Sequence, residues 1–168
     1  MISRRFGVCV VLSMGFAVAS AYAAETKCEG LKLPQAAETA LKRFPDLAVS
    51  CRLNPTVIAG DFDGDGHSDY AVLVMQKSSQ KRGILIAFAG GWTVVAGAGR
   101  PVKYGAIAYS DLNFDQWELH SKSQPVESAE DQKPLKLHGD ALLVSYHESA
   151  SGLFYWDGKG IRWYQQGD

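Results

Sequence analysis

The chain has few reactive side chains and no imbalance of charge. Its 168 residues hold three cysteines, six prolines and four histidines, and 17 lysines and arginines stand against 18 aspartates and glutamates. With no basic excess there is no electrostatic footprint for a polyanion, which excludes nucleic acid as the partner. The small basic cluster Lys77, Lys81 and Arg82 reads as a solvated hairpin turn. No C-x-x-C pair marks a redox or zinc site, and His67, His120, His138 and His147 lack the spacing of a zinc pair. Ser151-Gly152 has no G-x-S-x-G elbow around it. His147 and Glu148, between Ser145 and Ser149, would alternate faces on a strand and so not share a site. These absences point to a protein that is not an enzyme, with no catalytic residues.

Beyond the N-terminus there is no apolar run long enough to span a bilayer. Residues 1–23 read as a secretory signal peptide: Arg4 and Arg5 open it, Phe6 to Ala19 form the apolar stretch, and Ala21-Tyr22-Ala23 is an A-x-A cleavage site. Phe6-Gly7-Val8 continues a twin-arginine signal poorly, and neither Cys9 nor Cys28 sits in a lipid-attachment context, so ordinary secretion to the periplasm or beyond is expected. The product has no membrane anchor, and residues 24–168 suffice for one domain with a core. Loss of Arg4 and Arg5 from the 17 leaves 15 basic residues against 18 acidic.

Cleavage also removes Cys9. Cys28 and Cys51 remain, an even pair in an oxidising compartment, which predicts one disulfide. Between them Pro34 suits a first helical turn, and Leu33, Ala37, Ala40, Leu41 and Phe44 form an apolar stripe at helical spacing. The bridge would pin this one helix to the rest.

The most informative stretch is Asp61-Phe62-Asp63-Gly64-Asp65-Gly66-His67-Ser68-Asp69. Four aspartates occupy positions one, three, five and nine, and Gly66 the sixth, where a sharp turn needs a positive φ. Ca²⁺ takes six to eight oxygens at about 2.3–2.6 Å, and alternating carboxylates on a tight loop supply them. The expected ligands are the side chains of Asp61, Asp63, Asp65 and Asp69 and the backbone carbonyl of His67. An EF-hand would need Glu at position twelve, which is Val72, and helices on both sides. Instead Thr56-Val57-Ile58-Ala59 precedes the loop and Tyr70 to Met75 follows it, both apolar and rich in β-branched residues. A loop joining two strands is the expectation.

Through Gly60, Asp61, Asp63, Asp65, Gly66 and Asp69, and then Tyr70 to Val74, the chain resembles the FG-GAP/VCBS repeats of integrin-α-type propellers. The likeness covers residues 56–90 as a single copy and implies calcium binding, not an activity. The Phe-Gly and Gly-Ala-Pro elements of those repeats are absent, with Phe88-Ala89-Gly90 and Gly97 to Pro101 as loose echoes.

The remainder reads as strand upon strand. Gly83–Phe88 and Trp92–Val95 form a hairpin across Gly90-Gly91. Tyr104–Tyr109 is either a strand or a covering loop, and Ser121–Pro134 is a polar surface loop. Leu135–Leu137, Ala141–Tyr146 and Gly152–Trp156 are further strands, the last turning at Asp157-Gly158-Lys159-Gly160 into Ile161–Tyr164. The fold class is mainly β with some helix: an antiparallel sheet, or a small propeller-like domain, with a calcium-loop hairpin and one N-terminal helix. Trp156, Trp163, Tyr155 and Tyr164 alternate, so one set packs across the strands while the other could face a carbohydrate or a protein. Asp111, Asn113 and Asp115 repeat the opening spacing of the acidic loop, but Gln116 and Leu119 stand at the sixth and ninth places. Three roles fit these features. The first is a calcium-binding, protein-binding or inhibitor- or immunity-type module of the periplasm. The others are a metal-assisted hydrolase built on Asp61–Asp69 and an adhesive component that oligomerises through β edges.

Overall fold

The computed structural model describes residues 28–104, 107–127, 133–147 and 150–167. The expected signal peptide lies outside the described residues, as does the 128–132 part of the expected surface loop. Among the described residues one helix, α1 (Gln35–Lys42), precedes eleven strands. Among the described residues no helix is long and apolar enough to cross a membrane.

The first sheet comprises β1 (Leu47–Val49), β2 (Val57–Gly60), β3 (Asp69–Gln76), β4 (Arg82–Ala87) and β5 (Thr93–Gly97). β3 is its spine, antiparallel to β4 on one edge and to β1 and β2, end to end, on the other. Its sequence DYAVLVMQ is buried almost throughout, because both faces of the strand are covered. Ala71 and Leu73 face one core, while Val72 and Val74 face α1. The helix contributes Ala37 and Ala40, with Leu33, Leu41 and Phe44 at its margins, so the stripe expected from helical spacing is the buried one. A short hairpin, β6 (Val102–Tyr104) with β7 (Ile107–Tyr109), follows.

The second sheet is an up-and-down meander of β8 (Gln116–His120), β9 (Ala141–Tyr146), β10 (Ala150–Trp156) and β11 (Ile161–Gly167). The inner residues of the two sheets merge into one core, in which Ile58, Leu73, Ile84 and Ile86 meet Trp117, Leu142, Val144 and Phe154. Two antiparallel sheets packed through a common core and carrying one helix match the mainly β expectation. The four C-terminal aromatics divide by the two-residue period. Trp156 and Trp163 point into the shared core, Trp156 against Phe88 and Trp92. Tyr155 and Tyr164 lie on the opposite face, under a cover formed by Val126, Leu135 and Leu137, and the Tyr164 hydroxyl donates to the Lys133 carbonyl at 3.0 Å.

Two local readings change and a third resolves between its alternatives. Leu135–Leu137, expected as a strand, is an irregular segment that covers the second sheet, because its leucines meet a sheet face and no free edge. β1 and β8 were not expected as strands; each is short and gains its order by pairing with a longer neighbour. The 104–109 stretch contributes strand β7.

Cys28 and Cys51 are bridged, with Cα atoms 5.5 Å apart. The disulfide ties the chain before α1 to the segment after β1, the pinning that the cysteine count implied. At the β10–β11 turn the Asp157 carboxylate accepts the N–H groups of Lys159 and Gly160, both at 2.8 Å, and the Arg162 Nε–H at 2.6 Å. Slight burial opposes ionisation there, but these donors outweigh it and hold the Asp157 pKa below the ordinary carboxylate value.

Two tests follow from this architecture. Replacing both bridged cysteines with alanine lowers unfolding free energy by about 3 kcal/mol in the chain-entropy view of a loop this long; denaturant titration reads it. A folded-state pKa below the unfolded one gives stability that is present above the unfolded value and lost as pH falls through the folded one. The melting-temperature gap between wild type and Asp157→Asn is therefore open at neutral pH and closes in acid.

Candidate metal site

The acidic loop connects β2 to β3, its ends fixed by the Gly60–Asp69 pair of the hairpin. Its residues divide by direction. Phe62 turns inward and is 2% exposed in the shared core, which anchors the loop while the flanking aspartates stay outside. Asp63 Oδ1 accepts the Asp65 N–H at 3.2 Å, and Asp65 Oδ1 accepts the His67 N–H at 2.8 Å. These two consecutive turns, in which a side chain holds a backbone N–H two residues on, coil the loop tightly. Gly64 (φ +80°) and Gly66 (φ +86°) sit in the left-handed region between them. The expectation for Gly66 holds, and Gly64 shares its conformation.

This coiling brings Asp61, Asp63 and Asp65 together, each offering an oxygen within 4.8 Å of the others. Asp61 is the innermost. Its Oδ2 accepts the Gly66 N–H at 3.1 Å and a proton of the Lys122 ammonium at 2.7 Å. Its Oδ1 is buried and has no hydrogen-bond partner among the described residues. Burial opposes ionisation of Asp61, yet Lys122 and the N–H groups of Gly66 and Gly64 together hold its pKa below the usual value. His67 is exposed, with Nδ1 3.3 Å from Asp65 Oδ1.

Asp69 stands apart from that trio. It is fully buried, Oδ2 accepting the Phe62 N–H at 2.9 Å and Oδ1 the Ala89 N–H at 2.8 Å. Burial raises its pKa against the pull of those two donors, and the charge of Asp63 adds to the rise. Its carboxylate ties the loop to the β4–β5 turn, a role that ninth-position spacing does not reveal.

Residues outside the loop complete the site, and sequence reading missed them. Asp140 Oδ2 accepts the Asp61 N–H at 3.0 Å, its own N–H donates to the Asp61 carbonyl at 2.6 Å, and its Oδ1 accepts the Lys122 N–H at 2.9 Å. The approach is so close that a Cβ on Gly139 would fall 2.3 Å from the Phe62 carbonyl oxygen. Lys122 lay within a stretch legible only as polar loop, and no spacing rule links it to Asp61.

Asp111, Asn113 and Asp115 do not gather. Asp111 forms a two-point pair with Arg82, both contacts at 3.1 Å, and Asp115 accepts the His147 N–H at 2.7 Å. Compared with known protein families, with curated proteins and with solved structures, the chain matches none.

The two kinds of aspartate separate in a metal-free stability measurement. Asp69→Ala leaves the buried Phe62 N–H unpaired, at roughly 1–3 kcal/mol, removes the bond to the more exposed Ala89 N–H, and lowers the melting temperature in chelator. Asp63→Ala leaves it within the roughly 0.5 kcal/mol scatter of surface substitutions. Equal losses for the two variants would contradict this division.

Proposed function

We propose that the protein is an exported, non-enzymatic module that binds one Ca²⁺ on the loop 61–69 and uses the stiffened domain to bind a partner. The observation that carries this reading is the convergence of the Asp61, Asp63 and Asp65 carboxylates around a buried Asp61 oxygen with no donor among the described residues. A buried anionic oxygen without a partner is costly, and a hard cation would satisfy it. The His67 carbonyl and water would add oxygens. Asp69 would reach the ion only through lone pairs left over from its two N–H bonds, as a four-site carboxylate allows. The likeness of the loop to FG-GAP/VCBS repeats supports calcium over other cations, and the Cys28–Cys51 bridge supports export to an oxidising compartment.

Lys122 has a defined part in this reading. Its ammonium neutralises Asp61 when the loop has no metal, and Asp61 raises the lysine pKa. Calcium must displace it, so the lysine weakens affinity and favours release.

Thermal unfolding with Ca²⁺ and with chelator tests the proposal. A ligand at about 100 times its Kd adds roughly 2.7 kcal/mol to stability, so the transition rises in Ca²⁺. Asp63→Ala loses most of the rise, and Lys122→Met reaches the same rise at lower Ca²⁺. An unchanged transition in both wild type and Lys122→Met, with no heat of binding by calorimetry, sinks the calcium assignment.

A further inference from the structure

A cavity of about 470 Å³ opens beneath the β6–β7 hairpin, at the end of the shared core remote in sequence from the acidic loop. Its volume falls within the roughly 300–1,000 Å³ of small-ligand sites. On one side stand Phe154 and Trp163, paired across β10 and β11, and Tyr146 at the end of β9. Phe154 meets the indole at 4.9 Å and 62°, and Tyr146 meets it at 6.2 Å and 69°. Gly152 makes this arrangement fit, since a Cβ there would fall 2.4 Å from Trp163 Cζ2. On the other side are Tyr109 of β7 and Asn113 of the following loop.

The charge of the lining selects the ligand. Asp111 is the one ionisable acid or base among the residues that line the cavity, apart from the tyrosines, and Arg82 neutralises it in the two-point pair. Arg52, whose charge reaches Tyr146 and Asp111, stands outside the lining and is held by the Leu112 and Phe114 carbonyls. Within the lining a charged ligand therefore finds no unpaired counter-charge, and burying an unpaired charge is expensive. Polar groups nonetheless face the space. The Tyr146 phenol makes no hydrogen bond among the described residues, and burial raises its pKa, which keeps it a donor at neutral pH. The Asn113 amide is exposed, and the Gln165 amide accepts the Trp163 Nε1–H at 3.2 Å. A purely apolar ligand would strip water from these groups and return no hydrogen bonds.

Aromatic walls with amide and phenol groups suit a ring that has an apolar face and hydroxyls on its edge. We propose that this cavity binds an uncharged saccharide of one or two rings. The ring stacks among Trp163, Tyr146 and Tyr109, and its hydroxyls bond Asn113 and the Tyr146 phenol. The site is independent of the calcium loop and does not require it.

Two-dimensional amide NMR of the purified protein in chelator tests this with cellobiose, maltose and N,N′-diacetylchitobiose as neutral probes. Glucuronate, glucosamine and p-cresol serve as charged and non-saccharide controls. The expected result is a saturable shift of the Trp163 indole N–H and the Asn113 side-chain amide with at least one neutral saccharide. Asn113→Ala and Tyr146→Phe each weaken that binding at least fivefold and leave the rest of the spectrum in place. Absence of a saturable shift with all three saccharides overturns the proposal. So does tighter binding of p-cresol or of either charged sugar, or unchanged affinity in both variants.

Discussion

The carboxylate of Asp69 holds together the end of the molecule that carries the acidic loop. Buried and bonded to two backbone N–H groups, it fixes the start of the loop near Phe62 and the β4–β5 turn at Ala89. The Phe62 side chain then drops into the shared core, and Phe88 stacks on Trp92 with ring centres 3.5 Å apart. Because burial opposes its ionisation while the two donors favour it, the group is poised between costs. Any cation among the outer aspartates would act on a loop whose base is already rigid.

That rigidity is reinforced from a distance in sequence. Asp140 meets the Asp61 backbone twice, and Lys122 reaches the Asp61 carboxylate, so the segment before β9 is fastened to the β2–β3 hairpin. The same segment covers the outer face of the second sheet through Leu135 and Leu137. The loop is thus joined to both sheets, to the first by covalent continuity and to the second by polar contacts. A lysine in this position gives the carboxylates a cation of their own, which offsets their mutual repulsion.

At the cavity the physics differs. The acidic loop concentrates charge at the surface, whereas the cavity holds its one carboxylate in a bidentate ion pair and presents ring edges and amides. The calcium proposed for the first and the saccharide proposed for the second answer to these different linings. The two places lie apart in the fold: the cavity is lined by residues of β6, β7 and the second sheet, while the loop is clasped by Asp140.

The sequence by itself determined what depends on local spacing and on counting. The helical stripe Ala37, Ala40 and Leu41, the Cys28–Cys51 bridge, the positive φ of Gly66 and the hairpin turn at Asp157 were all legible. Each follows from the chain's own periodicity, from turn chemistry or from an even number of thiols. The tertiary structure decided what depends on approach between remote segments. It turned Asp69 into a buried tie, brought Lys122 and Asp140 to Asp61, and drew Asp111 to Arg82 and Asp115 to the His147 backbone. It also made strands of β1 and β8, whose short sequences acquire their conformation only from the ladders they join. The physical reason is the same in each case. A carboxylate's role is set by the donors that surround it, and those donors come from parts of the chain that no spacing rule connects.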